Sequence, residues 1–253
     1  MSVLEVNRDG PVAFFAFNRP DKRNAVNDAV VDALSAALDA LDSDVRVIVL
    51  SGNGGHFSAG LDLSEHVHRT PEAVKAHSKG WHAVTARLKD GGIPVVAALE
   101  GAVMGGGLEI AACAHVRVAA QGVQFRLPEG QRGIFVGGGG SVRISAIIGA
   151  DRMGEMMLTG RTYGADEGLA LGLAHYVVDA GGALEKASGL AVAIARNSRT
   201  VNRLVTTALP RIARLSESEG LAAESEAAAE SQSGPDAEEG LRAFLEKRPP
   251  RFA

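Results

Sequence analysis

The sequence predicts an α/β fold followed by an all-helical C-terminal region. Three observations carry this expectation. Short apolar runs alternate with helical periodicity through the first half, strand signals stop near residue 195, and glycines cluster where the apolar runs end. The chain has 31 glycines in 253 residues but only 4% aromatic residues. That balance suits tight turns and close backbone approach better than recognition by aromatic stacking.

Pro11–Phe17 (PVAFFAF), Arg46–Ser51 (RVIVLS), Pro94–Leu99 (PVVAAL) and Val116–Ala119 are apolar runs of strand length, as buried strands require. Between the first two, Asp28–Leu41 sets Val30, Leu34, Leu38 and Leu41 at helical spacing. Trp81–Leu88, with charged residues upstream, predicts a second helix. Beyond residue 195, Thr200–Arg214, Gly220–Ser231 and Leu241–Arg248 read as helices, and Ser233-Gly234-Pro235 breaks the last two apart. The expected division is a core over 1–195 and a helical region over 196–253. Leu221, Ala228 and Phe244 lie in otherwise polar helices, where they suit either a solvated surface or docking on another subunit.

Composition narrows the function. With 46% hydrophobic and 22% charged residues the chain is of ordinary globular type. A net charge of −4, from 26 basic and 30 acidic residues, argues against nucleic-acid and polybasic membrane binding. The single cysteine, Cys113, excludes an intramolecular disulfide. Glu5, Arg8 and Asp9 stand where a signal peptide needs an apolar run, and no apolar stretch approaches the roughly 20 residues of a membrane span, so a cytoplasmic location is expected. His66/His68 and His77/His82 form no H-E-x-x-H pattern, so no metal site is expected. Ser58-Ala59-Gly60 is not a nucleophile elbow, which needs G-x-S-x-G.

Four segments stand out chemically. His56–Leu63 (HFSAGLDL) follows a strand and is either a chain reversal or a run of backbone amides at a strand's carboxyl end. Gly101–Ala112 (GAVMGGGLEIAA) sets three glycines before an apolar helix, leaving amides open to an oxyanion. Its Glu109 is either a partner for the helix dipole or, among Leu108, Ile110 and Ala111, a desolvated carboxylate suited to acid/base work. In Phe125–Gly130 (FRLPEG), Glu129 taken alone resembles an exposed loop residue. Gly133–Arg143 (GIFVGGGGSVR) lacks the Gly-Lys-Ser/Thr ending of a phosphate loop and is expected to be a structural turn.

In series these segments resemble the crotonase superfamily, specifically enoyl-CoA hydratases. The likeness runs through NRPDKRNAV (Asn18–Val26), HFSAGLDL, GAVMGGGLEIAACAHVRVAA (Gly101–Ala120), FRLPEGQRGIFVGGGGSVRI (Phe125–Ile144), MMLTGRTYGADEGLALGLAHYVV (Met156–Val178) and EGLRAFLEKRPPRF (Glu239–Phe252). It implies a spiral of ββα units with C-terminal helices that build a trimer or a dimer of trimers. The reaction it implies is reversible syn addition of water across the 2,3 double bond of an enoyl-CoA. No cofactor is implied beyond the coenzyme A of the substrate. Glu109 and Glu129 match the two catalytic glutamates, Glu109 activating the water and Glu129 delivering a proton to C2. The amides of Ala59 and Gly106 are the expected oxyanion hole. Gly60, Leu61 and Asp62 are expected near adenine and pantetheine, and Lys22 and Arg23 near phosphates. Phe244 and Lys247 would reach the coenzyme A of a neighbouring subunit, although a solvated basic tail explains Lys247 equally well.

Three residues depart from the common hydratase pattern. Val136 replaces a usual proline, and Arg126 and Arg132 bracket Glu129, where a guanidinium favours the ionised carboxylate. All three are expected along the acyl path. The alternatives to hydration are double-bond isomerisation, another crotonase-type lyase or hydrolase reaction, and a module that binds coenzyme A without turnover.

Overall fold

The apolar runs pair side by side in one six-stranded sheet. The computed structural model describes residues 2–65 and 69–252, so His66 and His68 lie outside the described residues. Strands β1 (Leu4–Asp9) and β2 (Val12–Phe17) form an antiparallel hairpin. Helix α1 (Asp28–Asp39) leads to β3 (Val47–Gly52), and α2 (Pro71–Asp90) leads to β4 (Val95–Leu99). The chain then steps into a second sheet with β5 (Ala102–Met104), turns through α3 (Gly106–Ala111), and returns as β6 (Val116–Ala120). It repeats the step with β7 (Gln124–Arg126), continuing through α4 (Gly140–Ile148), α5 (Ala150–Thr159), β8 (Thr162–Tyr163) and α6 (Ala165–Ala170) to β9 (Tyr176–Val178). The main sheet has the order β1-β2-β3-β4-β6-β9, parallel beyond the first hairpin; the small sheet has the order β5-β7-β8.

Both faces of the main sheet are covered, which is why its strands read as unbroken apolar runs. In β3, Ile48 and Leu50 face the larger core, with Phe15, Phe17, Leu34 and Leu88. Val47 and Val49 face the other way, onto α7 (Ala183–Ala195), whose Ala183, Ala187, Ala191 and Ala195 form a stripe of small side chains that lets the helix lie close. Helices α8 (Arg199–Ile212), α9 (Glu217–Gln232) and α10 (Pro235–Leu245) follow without further strands.

The predicted strands are present with shifts of a residue or so. Three differences have physical causes. Strand β1 gave no apolar signal because it is an edge strand in which only Leu4 is buried. Helix α2 begins at Pro71 rather than Trp81, since its first half is polar and largely exposed. The last helix runs Pro235–Leu245 instead of Leu241–Arg248, because Pro235 occupies the first turn, where its missing N–H costs nothing.

Helix α6 presses directly on β7, the strand that leads to Glu129. A Cβ added at Gly168 would sit 2.5 Å from Cε2 and 2.8 Å from Cδ2 of the fully buried Phe125. Gly168→Ala should therefore destabilise the fold by about 1–3 kcal/mol through overpacking. Urea denaturation checks this; a stability equal to the parent's would mean that the two elements can separate freely.

Candidate active site

The two glutamates marked in the sequence meet across one cavity. It measures about 180 Å³ and its walls include Leu61, Trp81, Gly106, Glu109, Glu129 and Val136. A second, more open cavity of about 380 Å³ adjoins it and shares Leu61 and Glu129, with Lys22, Ala59, Asp62 and Arg132 on its own walls.

Glu109 is 3% exposed, on the short helix α3. Its Oε1 accepts hydrogen bonds from the amides of Gly138 at 2.8 Å and Gly140 at 2.7 Å. The Gly133–Arg143 segment, expected to be a plain turn, is thus also the cradle of this carboxylate. Glycine is required there for space. A Cβ on Gly138 would meet Trp81 Cε3 at 2.7 Å and the Glu109 carboxyl carbon at 3.2 Å, and one on Gly140 would meet Glu109 Oε1 at 2.9 Å. Burial pushes the Glu109 carboxyl above its ordinary pKa, and the glycine amides pull back towards the ionised form.

Glu129 opens a single 3-10 turn, Glu129–Arg132, immediately after Pro128. It is not the exposed loop residue that its local sequence suggested. It is 6% exposed, and its Oε2 is buried without a hydrogen-bond partner among the described residues. Burial is the main cause that lifts its pKa to about 7; the charge of Glu109 adds to the rise and Arg132 opposes it. The arginine effect expected from the sequence has the anticipated direction, and desolvation outweighs it.

The expected pair of open amides is met at Gly106 but not at Ala59. Gly106 is the first residue of α3, so its amide has no acceptor within the helix. The Ala59 amide instead donates to the Arg23 carbonyl at 2.9 Å, and Ala59 borders only the second cavity. Leu61, two residues on, lies beside Gly106. A Cβ on Gly106 would lie 3.5 Å from the Leu61 nitrogen, and Leu61 borders both cavities. The bridge that pairs Val26 with Leu61 uses the carbonyl of Gly60 and the amide of Asp62, leaving the Leu61 amide without an acceptor among the described residues. Ser58 steadies this loop: its Oγ donates to the Asn24 carbonyl at 2.8 Å and accepts from the Gly60 amide at 3.1 Å.

Among the other predicted residues, Lys22 Nζ lies 2.9 Å from Asp62 Oδ2, and Arg19 Nη2 meets the same oxygen at 2.9 Å. Bonds from Ser64, Lys22 and Arg19 hold Asp62 well below the usual carboxylate range. Arg23 contributes its backbone carbonyl to the loop, and its side chain borders neither cavity. Phe244, on α10, is 79% exposed, and neither it nor Lys247 approaches either cavity within this chain. Val136 lies on the wall of the smaller cavity, Arg132 borders the second cavity and Arg126 borders neither, its Nη2 donating to Gln131 Oε1 at 2.6 Å. Trp81, seen in the sequence only as a helix former, is the residue that was missed. Its six-membered ring packs against both Gly106 and Gly138. Cys113 is buried, its thiol pushed up to about 11, and its Sγ donates to the Glu109 carbonyl, a packing role. Among the described residues no group of three or more His, Cys, Asp or Glu side chains is arranged to hold a metal ion, and no helix is long and apolar enough to cross a membrane.

The stepping of the chain between two sheets, with open amides and paired carboxyls at the crossing, is the architecture of the crotonase fold. The family profile described as enoyl-CoA hydratase/isomerase matches residues 7–253, and the chain belongs to that family. It is 33% identical over 252 residues to the enoyl-CoA hydratase EchA19 of Mycobacterium tuberculosis, covering 98% of this chain and 95% of that one. It is 34% identical over 254 residues to the 2,3-dehydroadipyl-CoA hydratase of Escherichia coli K12, covering 100% and 99%. A solved structure from Rhodopseudomonas palustris CGA009 superposes with a TM-score of 0.95 at 47% identity, covering 97% of this chain and 95% of that one.

The Glu129 environment has a consequence for stability. Its carboxyl is raised from 4.5 to about 7 in the fold, so the folded chain keeps a proton that the unfolded chain releases. Stability is then full below the unfolded value and is lost as pH rises through the folded one. Glu129→Gln cannot ionise and should escape that loss, gaining about 1–3 kcal/mol on the parent between mildly acidic and mildly alkaline pH. Urea titrations at both pH values measure the difference; a gap that does not widen with pH would contradict the assignment.

Proposed function

We propose that the protein is an enoyl-CoA hydratase that adds water reversibly and syn across the 2,3 double bond of an enoyl-CoA thioester. The observation that carries this reading is a single cavity holding two buried carboxyls in opposite environments. Glu109, bonded by two amides, is suited to be the ionised base; Glu129, with a pKa near 7 and no donor on Oε2, is suited to be the acid.

In this scheme the thioester oxygen lies between the amides of Gly106 and Leu61, which take up the negative charge that develops as C3 is attacked. Glu109 accepts a proton from the attacking water while the hydroxyl oxygen bonds to C3. Glu129 gives its proton to C2, and a proton then passes from Glu109 to Glu129 to restore the starting state. Both groups flank one water, so oxygen and hydrogen add to the same face. The acyl chain occupies the smaller cavity, whose wall includes Trp81 and Val136, and the pantetheine arm lies along the second, past Leu61, Gly60 and Asp62. Lys22 and Arg23 are the basic residues near the phosphates. No cofactor or metal takes part.

Residues 196–253 are read as the trimer-forming region, with Phe244 and Lys247 reaching a neighbour's coenzyme A. The exposed Leu209, Leu241, Phe244 and Leu245 support this, as apolar groups in need of a cover. Removing residues 196–253 should yield monomer or insoluble protein by light scattering, and a soluble truncated trimer would refute the assignment.

The reaction itself is tested by following crotonyl-CoA absorbance. Glu109→Gln and Glu129→Gln should each lower kcat by about 10²–10⁴, and the double variant should be little worse than the poorer single one, because the two groups act on one water. Loss of hydration in Glu109→Gln with isomerisation of a 3-enoyl-CoA retained would mark an isomerase instead. Binding of coenzyme A esters with no turnover by the parent would mark a binding module.

A further inference from the structure

The glycine turn that cradles Glu109 is itself gripped from outside, by two side chains to which the mechanism above gives no role. Ser78, half-buried on α2, donates from Oγ to the Gly137 carbonyl at 2.6 Å. That carbonyl belongs to the same peptide group as the Gly138 amide, which donates to Glu109 Oε1 at 2.8 Å. Serine and glutamate are therefore joined through one peptide unit. A donor on its oxygen strengthens the donor at its nitrogen, because hydrogen bonds in a chain polarise one another. Ser78 borders the cavity, but its hydroxyl proton is committed to Gly137.

Arg143, on α4, grips the next peptide. Its Nη1 donates to the Gly138 carbonyl and to Thr85 Oγ1, both at 2.9 Å, and Thr85 in turn donates to the Trp81 carbonyl at 2.7 Å. The amide of this second peptide belongs to Gly139, which does not contact Glu109, so Arg143 fixes the orientation of the turn rather than one donor. The turn needs fixing, because Gly139 sits at φ 102°, a conformation that glycine leaves easily. With both carbonyls held outward, the amides of Gly138 and Gly140 remain aimed at one carboxylate oxygen.

We propose that Ser78 and Arg143 are positioning residues for Glu109, acting through the Gly137–Gly140 turn. The inference rests on the hydratase reading for its kinetic consequence, but the contacts stand independently of it. The charged and titratable groups around Glu109 are Glu129 and His77 at the same cavity, His82 on α2, Arg143 on α4 and Cys113 beyond α3. Of these, His82 Nε2 lies 3.4 Å from Ser78 Oγ.

The test uses the full-length protein with Ser78→Ala, Ser78→Thr, Arg143→Met and Arg143→Lys. Ser78→Ala should lower kcat for crotonyl-CoA by roughly 2–10-fold, the worth of one hydrogen bond, with little change in KM. The acid limb of kcat/KM should move to higher pH, because a carboxylate with weaker donors holds its proton longer. Ser78→Thr, which keeps the hydroxyl, should restore both, and Arg143→Lys should recover part of what Arg143→Met loses. A raised KM at parental kcat would mean that Ser78 touches substrate, and a lowered melting temperature with an unmoved pH profile would mean a purely structural role; either overturns the proposal. A second readout needs no turnover. The side-chain ¹³C resonance of Glu109, assigned with Glu109→Gln, is titrated in the ligand-free protein, and its midpoint should rise in Ser78→Ala and Arg143→Met. Parental midpoints in both variants would overturn the clamp, whereas a parent that hydrates no enoyl-CoA would overturn only the hydratase reading.

Discussion

The arrangement depends on a buried carboxylate held by backbone amides. Glu109 is carried into apolar surroundings by α3, where an isolated negative charge is expensive unless it is hydrogen-bonded. The turn supplies those bonds from the backbone amides of Gly138 and Gly140, with no cation bonded to the carboxylate itself among the described residues. The spatial demands follow from this. Gly138 and Gly140 must lack side chains, since a Cβ on the first would strike Trp81 and one on the second the Glu109 carboxyl.

The contrast between the two glutamates arises from the same constraint applied unequally. Both carboxyls are buried, but Glu109 has amide donors and Glu129 has none on Oε2, so their proton affinities differ. Asp62 is a third case, almost as buried but saturated by Ser64, Lys22 and Arg19, which hold it ionised. Three carboxyls in one region thus differ in proton affinity according to what their oxygens touch as well as how deep they lie.

How much of this the sequence disclosed follows the range of the interactions. The apolar runs of the sheet were legible because burial on both faces leaves a local imprint. Glu109 was legible because its desolvating neighbours adjoin it in the chain. Taken alone, Glu129 read as exposed, since its burial depends on residues distant in sequence, such as Leu61 and Trp81, that wall the same cavity. The open amide was expected at Ala59 and lies at Leu61, two residues on, for a similar reason. Whether the amide of Ala59 or of Leu61 stays open is decided by Arg23 and Val26, distant in sequence, which claim the amides on either side. Strand β1, with one buried side chain, left no signal to read.

Trp81 is the only tryptophan in the chain, and its ring is wedged between the glycine that opens α3 and the glycine that bonds Glu109. Its indole nitrogen is buried and makes no hydrogen bond among the described residues, so the ring's electronic surroundings are set by packing and by the nearby carboxyls. The protein therefore carries one indole, at the cavity that holds Glu109 and Glu129, with its two tyrosines elsewhere in the chain. Excited at the red edge, where tyrosine does not absorb, its emission comes from this cavity wall free of background from other indoles.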